Sequence, residues 1–341
     1  MKRTSPRRPS FTVTTDGLGV VNHAGAAALR EFADRFEYTS TLCDGLDPLR
    51  ARRATHHPGA VLTDLAVSIA DGGDCLRDLA VLHDQPDLFG RVASVPTAPR
   101  VISRLTRGHL EQVRGARRRM REQVWRKAGR PELLVLDIDA TLVTSHSEKE
   151  EASGNYKHGF GYHPLTCFLE ATGEALAAIL RPGRAGSNTA KDHIEVFRLA
   201  CQQLPEWVQE DPVLVRCDSA GATHDFLKAV RAREKAKFSV GFELREDVRE
   251  AILSVPEEAW EPAIRQDGED REGADVCELH HLDLSSWPVG TRALCRRERP
   301  HPGRSALLHR SRRVAFPGLH HRPAGRGHRP AGGSPPSSGS L

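Results

Sequence analysis

The sequence predicts an α/β protein: a mixed five-stranded sheet with flanking helices, preceded by an all-helical N-terminal domain. Three observations lead there. Apolar residues recur at helical spacing through residues 16–106 and again in a basic segment, 108–127. The period then changes at Leu133-Leu-Val-Leu-Asp-Ile-Asp139, an apolar run ending in two acids. Beyond it, strand-like and helix-like segments alternate in the order β-β-β-α-β-α-β.

Residues 1–15 are polar and expected to be disordered. Ala24–Phe36 has Leu29, Phe32 and Phe36 near helical spacing. His57-Pro58-Gly59 opens a second helix, with Val61, Leu65 and Ile69 on one stripe beside Leu62 and Ala66. Asp71-Gly-Gly-Asp74 breaks it, and Asp74 is placed to cap a short helix carrying Leu76, Leu79 and Leu82. Thr97–Leu105 is a further helix. Such a bundle can contain a helix-turn-helix, although tightly joined helix pairs occur in any bundle. Gly108–Lys127 is one long helix with Arg114, Arg117, Arg118, Arg119, Arg121 and Arg126, and an apolar seam of Leu110, Val113, Met120 and Val124. Its basic face suits phosphate contacts through counterion release and equally suits a solvated surface.

In the second half, Leu133–Asp139 is the first strand, His158–Leu169 the second and Glu174–Leu180 the third. Pro182–Ser187 is a Gly-rich turn, and Asn188 or Thr189 caps a helix running to Leu204. Val213–Cys217 is the fourth strand, Ala222–Ala232 a helix and Lys237–Phe242 the fifth strand. Short gaps between the first three strands favour an antiparallel meander; helices between the later ones favour parallel crossovers. Residues 245–300 predict a small, partly β insertion with a strand at Val276–Leu279.

Composition excludes several classes. Mean hydropathy is −0.47, and no apolar run approaches the ~18 residues of a membrane span, so a cytoplasmic protein is expected. Seven cysteines without a Cys-x-x-Cys pair fit reduced thiols. Cys277-Glu-Leu-His-His281 lacks a second ligand pair for zinc. The net charge of +4 is local. Residues 1–300 carry 42 basic and 45 acidic side chains, whereas His301–Leu341 carries seven Arg and no acid. Arg outnumbers Lys 41 to 8, as GC-rich coding DNA would give.

Asp137 and Asp139 lie two apart on a strand and share a face. Asp218 ends the fourth strand. If the first and fourth strands are neighbours, Asp139 and Asp218 project side by side, where two carboxylates repel unless a divalent cation lies between them. Hard oxygen ligands at an open edge suit Mg²⁺ or Mn²⁺. Two such ions ~3.5–4 Å apart serve phosphodiester transfer.

Leu136-Asp-Ile-Asp-Ala-Thr-Leu-Val-Thr-Ser-His-Ser-Glu-Lys-Glu150, Gly159-Phe-Gly-Tyr-His-Pro164, Leu180-Arg-Pro-Gly-Arg-Ala-Gly-Ser-Asn-Thr-Ala190 and Val215-Arg-Cys-Asp-Ser-Ala-Gly221 occur in that order. Together they resemble a bacterial insertion-sequence transposase of the DDE type, from about Gly17 to about Gly303. The resemblance implies a ribonuclease-H-like core and metal-dependent cleavage and strand transfer at terminal inverted repeats. It also implies double-stranded DNA as partner, a homodimer across paired ends and a nucleoid-associated protein. By the same resemblance Asp139 is the first catalytic acid and metal ligand, with Asp137 in reserve, and Asp218 is the second. Arg117, Arg118 and Arg119 are the candidate DNA contacts. The implied organisation is a helical DNA-binding domain over 16–128, a catalytic core over 129–244, the insertion over 245–303 and a disordered tail over 304–341.

The resemblance breaks at the third acid. The family carries a Glu in a Tyr-x-x-Arg-x-x-x-Glu motif after the insertion, but all three Tyr (38, 156 and 162) precede Asp218, and Glu298 is the last acid. The tail is either a basic arm or GC-rich DNA translated out of frame; the simultaneous loss of the motif favours the frameshift. Translating the DNA downstream of the Gly303 codon in every frame separates the two. Impaired cleavage is therefore expected, with a non-catalytic end-binding fragment as one alternative. Leu134-Val-Leu-Asp-Ile-Asp-Ala-Thr-Leu142 also matches the Asp-x-Asp-x-Thr box of haloacid dehalogenase-like phosphatases, with Asp137 as nucleophile and Asp139 as general acid. Gly183-Arg-Ala-Gly-Ser-Asn188 can at most position a DNA backbone phosphate.

Overall fold

The computed structural model describes residues 22–186, 189–265 and 267–298. The expected disordered stretch 1–15 and tail 304–341 lie outside the described residues. The chain forms two compact units, one to Gly241 and one from Phe242.

The first unit begins with helices α1 (Ala24–Arg35), α2 (Tyr38–Leu46), α3 (Pro58–Ala70), α4 (Leu79–His83), α5 (Pro86–Phe89), α6 (Thr97–Ile102) and α7 (Arg107–Ala128). Their existence largely follows from the pattern; which face they bury does not. In α1 the small residues Ala26, Ala27 and Ala33 are inside together with Arg30. Leu29 and Phe32 are each 42% exposed. They line an open apolar groove with Met120 and Val124 of the long helix. Arg30 is admitted because its guanidinium is neutralised: it faces Asp64 at 3.1 Å and donates to Thr39 Oγ1 at 2.7 Å. In α3, Val61 and Leu65 point inward as expected, but Ile69 is 67% exposed and Thr63, Asp64, Val67 and Ser68 are buried. Because α3 is contacted by α1, α2, α4 and α6, a single stripe cannot describe its buried surface. Asp74 is not the cap of the following turn. Asp78 closes that turn instead, its Oδ2 accepting from the N–H groups of Asp74 (2.9 Å) and Cys75 (3.0 Å). The short helices α2 and α5 were not legible beforehand.

Along α7 the buried residues are Ala116, Arg121 and Trp125, not the expected seam. Arg121 ties three elements together. It donates to the Glu174 carboxylate through Nε (2.9 Å) and Nη2 (2.5 Å), and to the Gln203 carbonyl through Nη1 (2.5 Å).

The sheet comprises β1 (Leu134–Ala140), β5 (Leu165–Leu169), β6 (Glu174–Ile179), β7 (Val213–Cys217) and β8 (Ala236–Val240). Between its first two members lies a hairpin sheet of β2 (Val143–Thr144), β3 (Ser153–Gly154) and β4 (Phe160–Tyr162). The large sheet has the order β6-β5-β1-β7-β8. Its β1–β5 and β5–β6 pairs are antiparallel, and its β1–β7 and β7–β8 pairs are parallel. That is the meander followed by crossovers expected from the loop lengths, in ribonuclease-H-like order. The expected strand His158–Leu169 is in fact two, β4 and β5, in different sheets. The break falls at His163-Pro164, where proline has no N–H to give a ladder. Helices α8 (Ala190–Gln203) and α9 (His224–Ala232) supply the crossovers. Thr189 stands at the α8 N-cap, but its hydroxyl donates to the Gly186 carbonyl at 3.2 Å. Leu134, Leu136, Ile138, Cys167, Leu169, Val215, Phe238 and, from the helices, Val196, Phe197, Phe226 and Leu227 are buried.

The second unit carries α10 (Glu246–Leu253), which sequence reading missed, and an antiparallel sheet of β9 (Glu261–Ile264), β10 (Asp270–Glu278) and β11 (Leu294–Glu298). The expected strand at 276–279 is the end of the longer β10. Cys277 is buried opposite Cys295, and Glu278 is paired with Arg292 (Nε–Oε1 2.8 Å), so these two residues are part of a packed sheet, while His280 and His281 are exposed beyond its end.

Replacing Arg121 by Met keeps the aliphatic stem and deletes the charge. Glu174 is partly exposed and can rehydrate, but the Gln203 carbonyl loses its donor. A loss of about 2 kcal/mol is expected, read as a lower midpoint in urea unfolding at unchanged slope.

Candidate active site

Strand β1 enters the middle of the sheet as a run of buried aliphatics and leaves it at Asp139. Its pairing with β7 aligns Asp137 with Arg216 and Ile138 with Cys217. Continuing that register places Asp139 beside Asp218, at the C-terminal ends of adjacent parallel strands. Side chains alternate along each strand, so the aligned Asp137 and Arg216 share a face with Asp139 and Asp218.

The three acids have different surroundings. Asp137 is gripped by Arg216 through Nε to Oδ1 (2.5 Å) and Nη2 to Oδ2 (2.6 Å). This bidentate pair occupies both carboxylate oxygens. Asp139 and Asp218 are exposed, and neither is ion-paired among the described residues. Each uses one oxygen on the backbone. Asp139 Oδ1 accepts from Ala140 N–H at 2.8 Å, and Asp218 Oδ1 accepts from Ala220 N–H at 2.9 Å. Thr166 Oγ1 donates to the Asp139 carbonyl at 3.0 Å, bracing the strand end from β5. The turn after Asp218 doubles back onto β7, and Gly221 makes that possible. A Cβ there would lie 2.4 Å from the Cys217 Cβ. The Cys217 thiol is pushed up well above its ordinary range by burial first, then by Cys167 and the negative charges of Asp218, Asp137 and Asp139.

Two hard carboxylates at neighbouring strand ends, each with an uncommitted oxygen and no ion-pair partner among the described residues, fit a divalent ion. They belong to no group of three close ligands. Among the described residues that group is Asp74, Cys75 and Asp78, where Asp78 is already closing a turn.

Sequence reasoning missed His193 and Arg181. His193 is buried on α8, donates from Nδ1 to the Thr189 carbonyl at 3.0 Å and rests its ring against Phe226. Its pKa is lowered chiefly by burial; Arg181 lowers it further, while the Thr189 hydrogen bond, Asp218 and Asp192 oppose the shift. Arg181, also buried, donates to the carbonyls of His163 (2.9 Å) and Gly186 (3.2 Å) and faces Asp192 at 3.3 Å. No signal in the sequence distinguishes a His or Arg that will be covered from one on a surface.

The candidate DNA contacts are divided. Arg117 donates to the Ala175 carbonyl on β6. Arg119 is exposed and pairs with Glu37 at 3.0 Å. Arg118 lies half-buried between them on α7. The glycine-rich turn at 183–188 is described only to Gly186; Ser187 and Asn188 lie outside the described residues.

The strand order and the carboxylates at the β1 and β7 ends define a ribonuclease-H-like core of the DDE type. The antiparallel β1–β5–β6 meander and the engaged Asp137 do not support a haloacid dehalogenase-like phosphatase, which needs parallel units and a free nucleophile there. Residues 4–308 match the family model described as Transposase DDE domain group 1, and the chain belongs to that family. It is a transposase by family. Its fold is similar to the piggyBac transposase in a synaptic complex with hairpin DNA, at 10% identity and a TM-score of 0.38, covering 80% of this chain and 60% of that one. It is also similar to Mos1 transposase in a paired-end complex with the left transposon end (8% identity, TM-score 0.21, 55% and 60% covered). A Mos1 mariner paired-end complex with Mn shows 9% identity, a TM-score of 0.22 and coverage of 62% and 72%. The chain thus spans 60% of the length of the piggyBac chain. No curated protein sequence matches it. No helix among the described residues is long and apolar enough to cross a membrane.

His193 sets one pH dependence. A buried neutral imidazole has a folded pKa below its ordinary 6.5, so the unfolded chain takes up the proton first as pH falls. Stability is full above that value and declines below it. Urea midpoints measured from about pH 8 to about pH 5 are expected to fall less steeply in His193→Gln than in the parent.

Proposed function

We propose that this chain is an insertion-sequence transposase that binds double-stranded DNA at terminal inverted repeats and whose strand-cleaving centre is assembled around Asp139 and Asp218. The observation that carries it is the pair of exposed carboxylates, without ion pairs among the described residues, at adjacent ends of β1 and β7 inside a transposase-family chain. In this reading Asp139 and Asp218 hold Mg²⁺ or Mn²⁺, which when bound would activate the attacking oxygen and stabilise the leaving oxygen of a phosphodiester. The protein's own contribution is placement. Thr166 braces Asp139, the Gly221 turn seats Asp218, and Arg216 removes Asp137 from competition for the ion. Residues 16–128 bind DNA, with Arg118 and Arg119 better placed than Arg117, whose guanidinium already serves β6. A homodimer across paired ends and a cytoplasmic, nucleoid-associated location in a bacterium complete the proposal.

Cleavage by these residues is expected to be severely impaired. With no Tyr after Tyr162 and no acid after Glu298, the family's third acid has no counterpart in its motif. Two carboxylates suffice to hold one such ion with water and substrate phosphate, but leave a pair of ions under-coordinated by protein. The chain then acts as an end-binding transposase that competes with an intact copy.

The test is binding and nicking of a duplex carrying the element's terminal repeat, in Mn²⁺. The full chain is expected to retard the duplex and to nick it barely or not at all. Mn²⁺ affinity by calorimetry is expected to fall about tenfold or more in Asp139→Asn and in Asp218→Asn. Efficient nicking abolished by either substitution would overturn the impaired reading. Failure to retard the duplex would overturn the transposon-end reading itself.

A further inference from the structure

We infer that the helical part of the first unit carries a phosphate-binding surface for the DNA backbone, built from two acid-free runs, residues 48–63 and 88–110, that the fold brings together. The inference rests on the DNA-end reading above and deepens it, because it names the face that meets the duplex and places the main backbone contacts away from the arginine stripe of α7.

The two runs stand out by what they lack. Residues 48–63 carry Arg50, Arg52 and Arg53, and residues 88–110 carry Arg91, Arg100, Arg104 and Arg107, with no Asp or Glu in either. All but the half-buried Arg50 are exposed. None of these guanidinium groups is ion-paired or hydrogen-bonded among the described residues. Elsewhere guanidinium groups are spent on the protein itself: Arg119 on Glu37, Arg121 on Glu174, Arg198 on Glu195, and Arg297 on Glu257 and Asp275.

Two shared cores hold the runs side by side. Val61 of the first run and Val92, Ala93 and Ala98 of the second are buried in one hydrophobic cluster, with Leu62 and Val101 packed against it. Leu49 is buried in another cluster, against which Leu62 and Leu105 pack. Leu62 therefore belongs to both, and the arginines stand on segments whose apolar residues are interlocked. His56 reports the same proximity. Its pKa is lowered by burial first, and then by His83 and by Arg91 of the other run. Helix α7 begins within the second run. Arg107 is its first residue and no acid stands in its first turn, so the positive end of the helix dipole adds to these charges.

Neighbouring acids do not cancel the surface. Asp64 is buried against Arg30, and Glu111 is spent on Arg114 at 2.6 Å. Glu195 lies in the field of Arg107 but is paired with Arg198 at 2.8 Å. Asp47 faces His57 at 3.3 Å. With Asp44, Asp84 and Asp87, which are exposed at the borders of the runs, it leaves the seven arginines in excess. Like charges gathered without counter-charges repel, and a polyanion relieves that repulsion. Guanidinium forks match phosphate oxygens two at a time. An array of them spread over two segments suits the regular phosphates of a duplex, with binding driven by counterion release. Contacts of this kind position the duplex without reading its sequence.

The experiment measures binding of the full chain to a terminal-repeat duplex and to an unrelated duplex of equal length, by fluorescence anisotropy over a range of salt. The double variants Arg52→Gln/Arg53→Gln and Arg104→Gln/Arg107→Gln each remove two exposed charges and should keep the parent's urea midpoint. Each is expected to lower affinity for both duplexes alike, by about tenfold, and to make the slope of log affinity against log salt shallower by about 2. Arg104→Lys/Arg107→Lys should keep the parent's slope. Arg118→Gln/Arg119→Gln on α7 should lose less, because Arg119 is already paired with Glu37. A parent-like slope in either glutamine variant of the runs, or a loss confined to the α7 pair, overturns the surface and leaves the DNA-end reading standing. Parent protein that binds neither duplex overturns both.

Discussion

The parallel pairing of β1 with β7 is the constraint on which the rest of the first unit depends. It places two strand ends bearing carboxylates side by side, an arrangement that like charges oppose. The register separates the acids into two kinds. One residue earlier than the Ile138–Cys217 pair, Asp137 meets Arg216 and is neutralised in a bidentate grip. One residue later, Asp139 and Asp218 meet at the edge, where water and a cation can reach them. A slip of one residue would put Asp139 against Arg216's neighbours and turn the buried aliphatics of β1 outward. The hydrophobic face of the sheet therefore also enforces the geometry of the acids.

Guanidinium groups do much of the joining elsewhere. Arg30, Arg121 and Arg181 are all buried, and each is matched by a carboxylate and by a hydroxyl or backbone carbonyl. Arg121 links α7 to β6 and to the end of α8, while Arg181 links the strand end at His163 to the first turn of α8. Five donors in a rigid plane reach several acceptors at once, which lets these side chains be buried beside carboxylates, although Arg30 Nε and Arg181 Nη2 find no hydrogen-bond partner among the described residues. The same chemistry draws Arg117 and Arg119 into contacts within the protein, so the basic character of α7 is not simply a DNA-facing stripe.

Some of this was legible in the residues. The β1 and β7 ranges, the long α7 and the strand order followed from apolar period and loop length, because strands and crossovers obey local rules. Asp139 and Asp218 stood out as acids ending apolar runs. The buried faces of α1, α3 and α7 were not legible. Leu29, Phe32 and Ile69 looked like core and lie at the surface, whereas Arg30, Asp64 and Arg121 are inside. A helix contacted by several neighbours buries what those neighbours can satisfy, and a paired Arg qualifies while a lone one does not. The split of 158–169 into two sheets was announced only by Pro164.

The sequence by itself determined the class of this protein, the order of its elements along the chain and the acids at its strand ends. These depend on residue type and on spacing along the chain. Only the tertiary structure decided which acid is free. Strand periodicity puts Asp137 and Asp139 on the same face alike, and they differ in surroundings because β7 brings Arg216 opposite the first and Asp218 beside the second. It likewise decided that Val143 and Phe160 stay partly open to solvent while Tyr162 is buried, since β2 and β4 pair with each other and not with the large sheet.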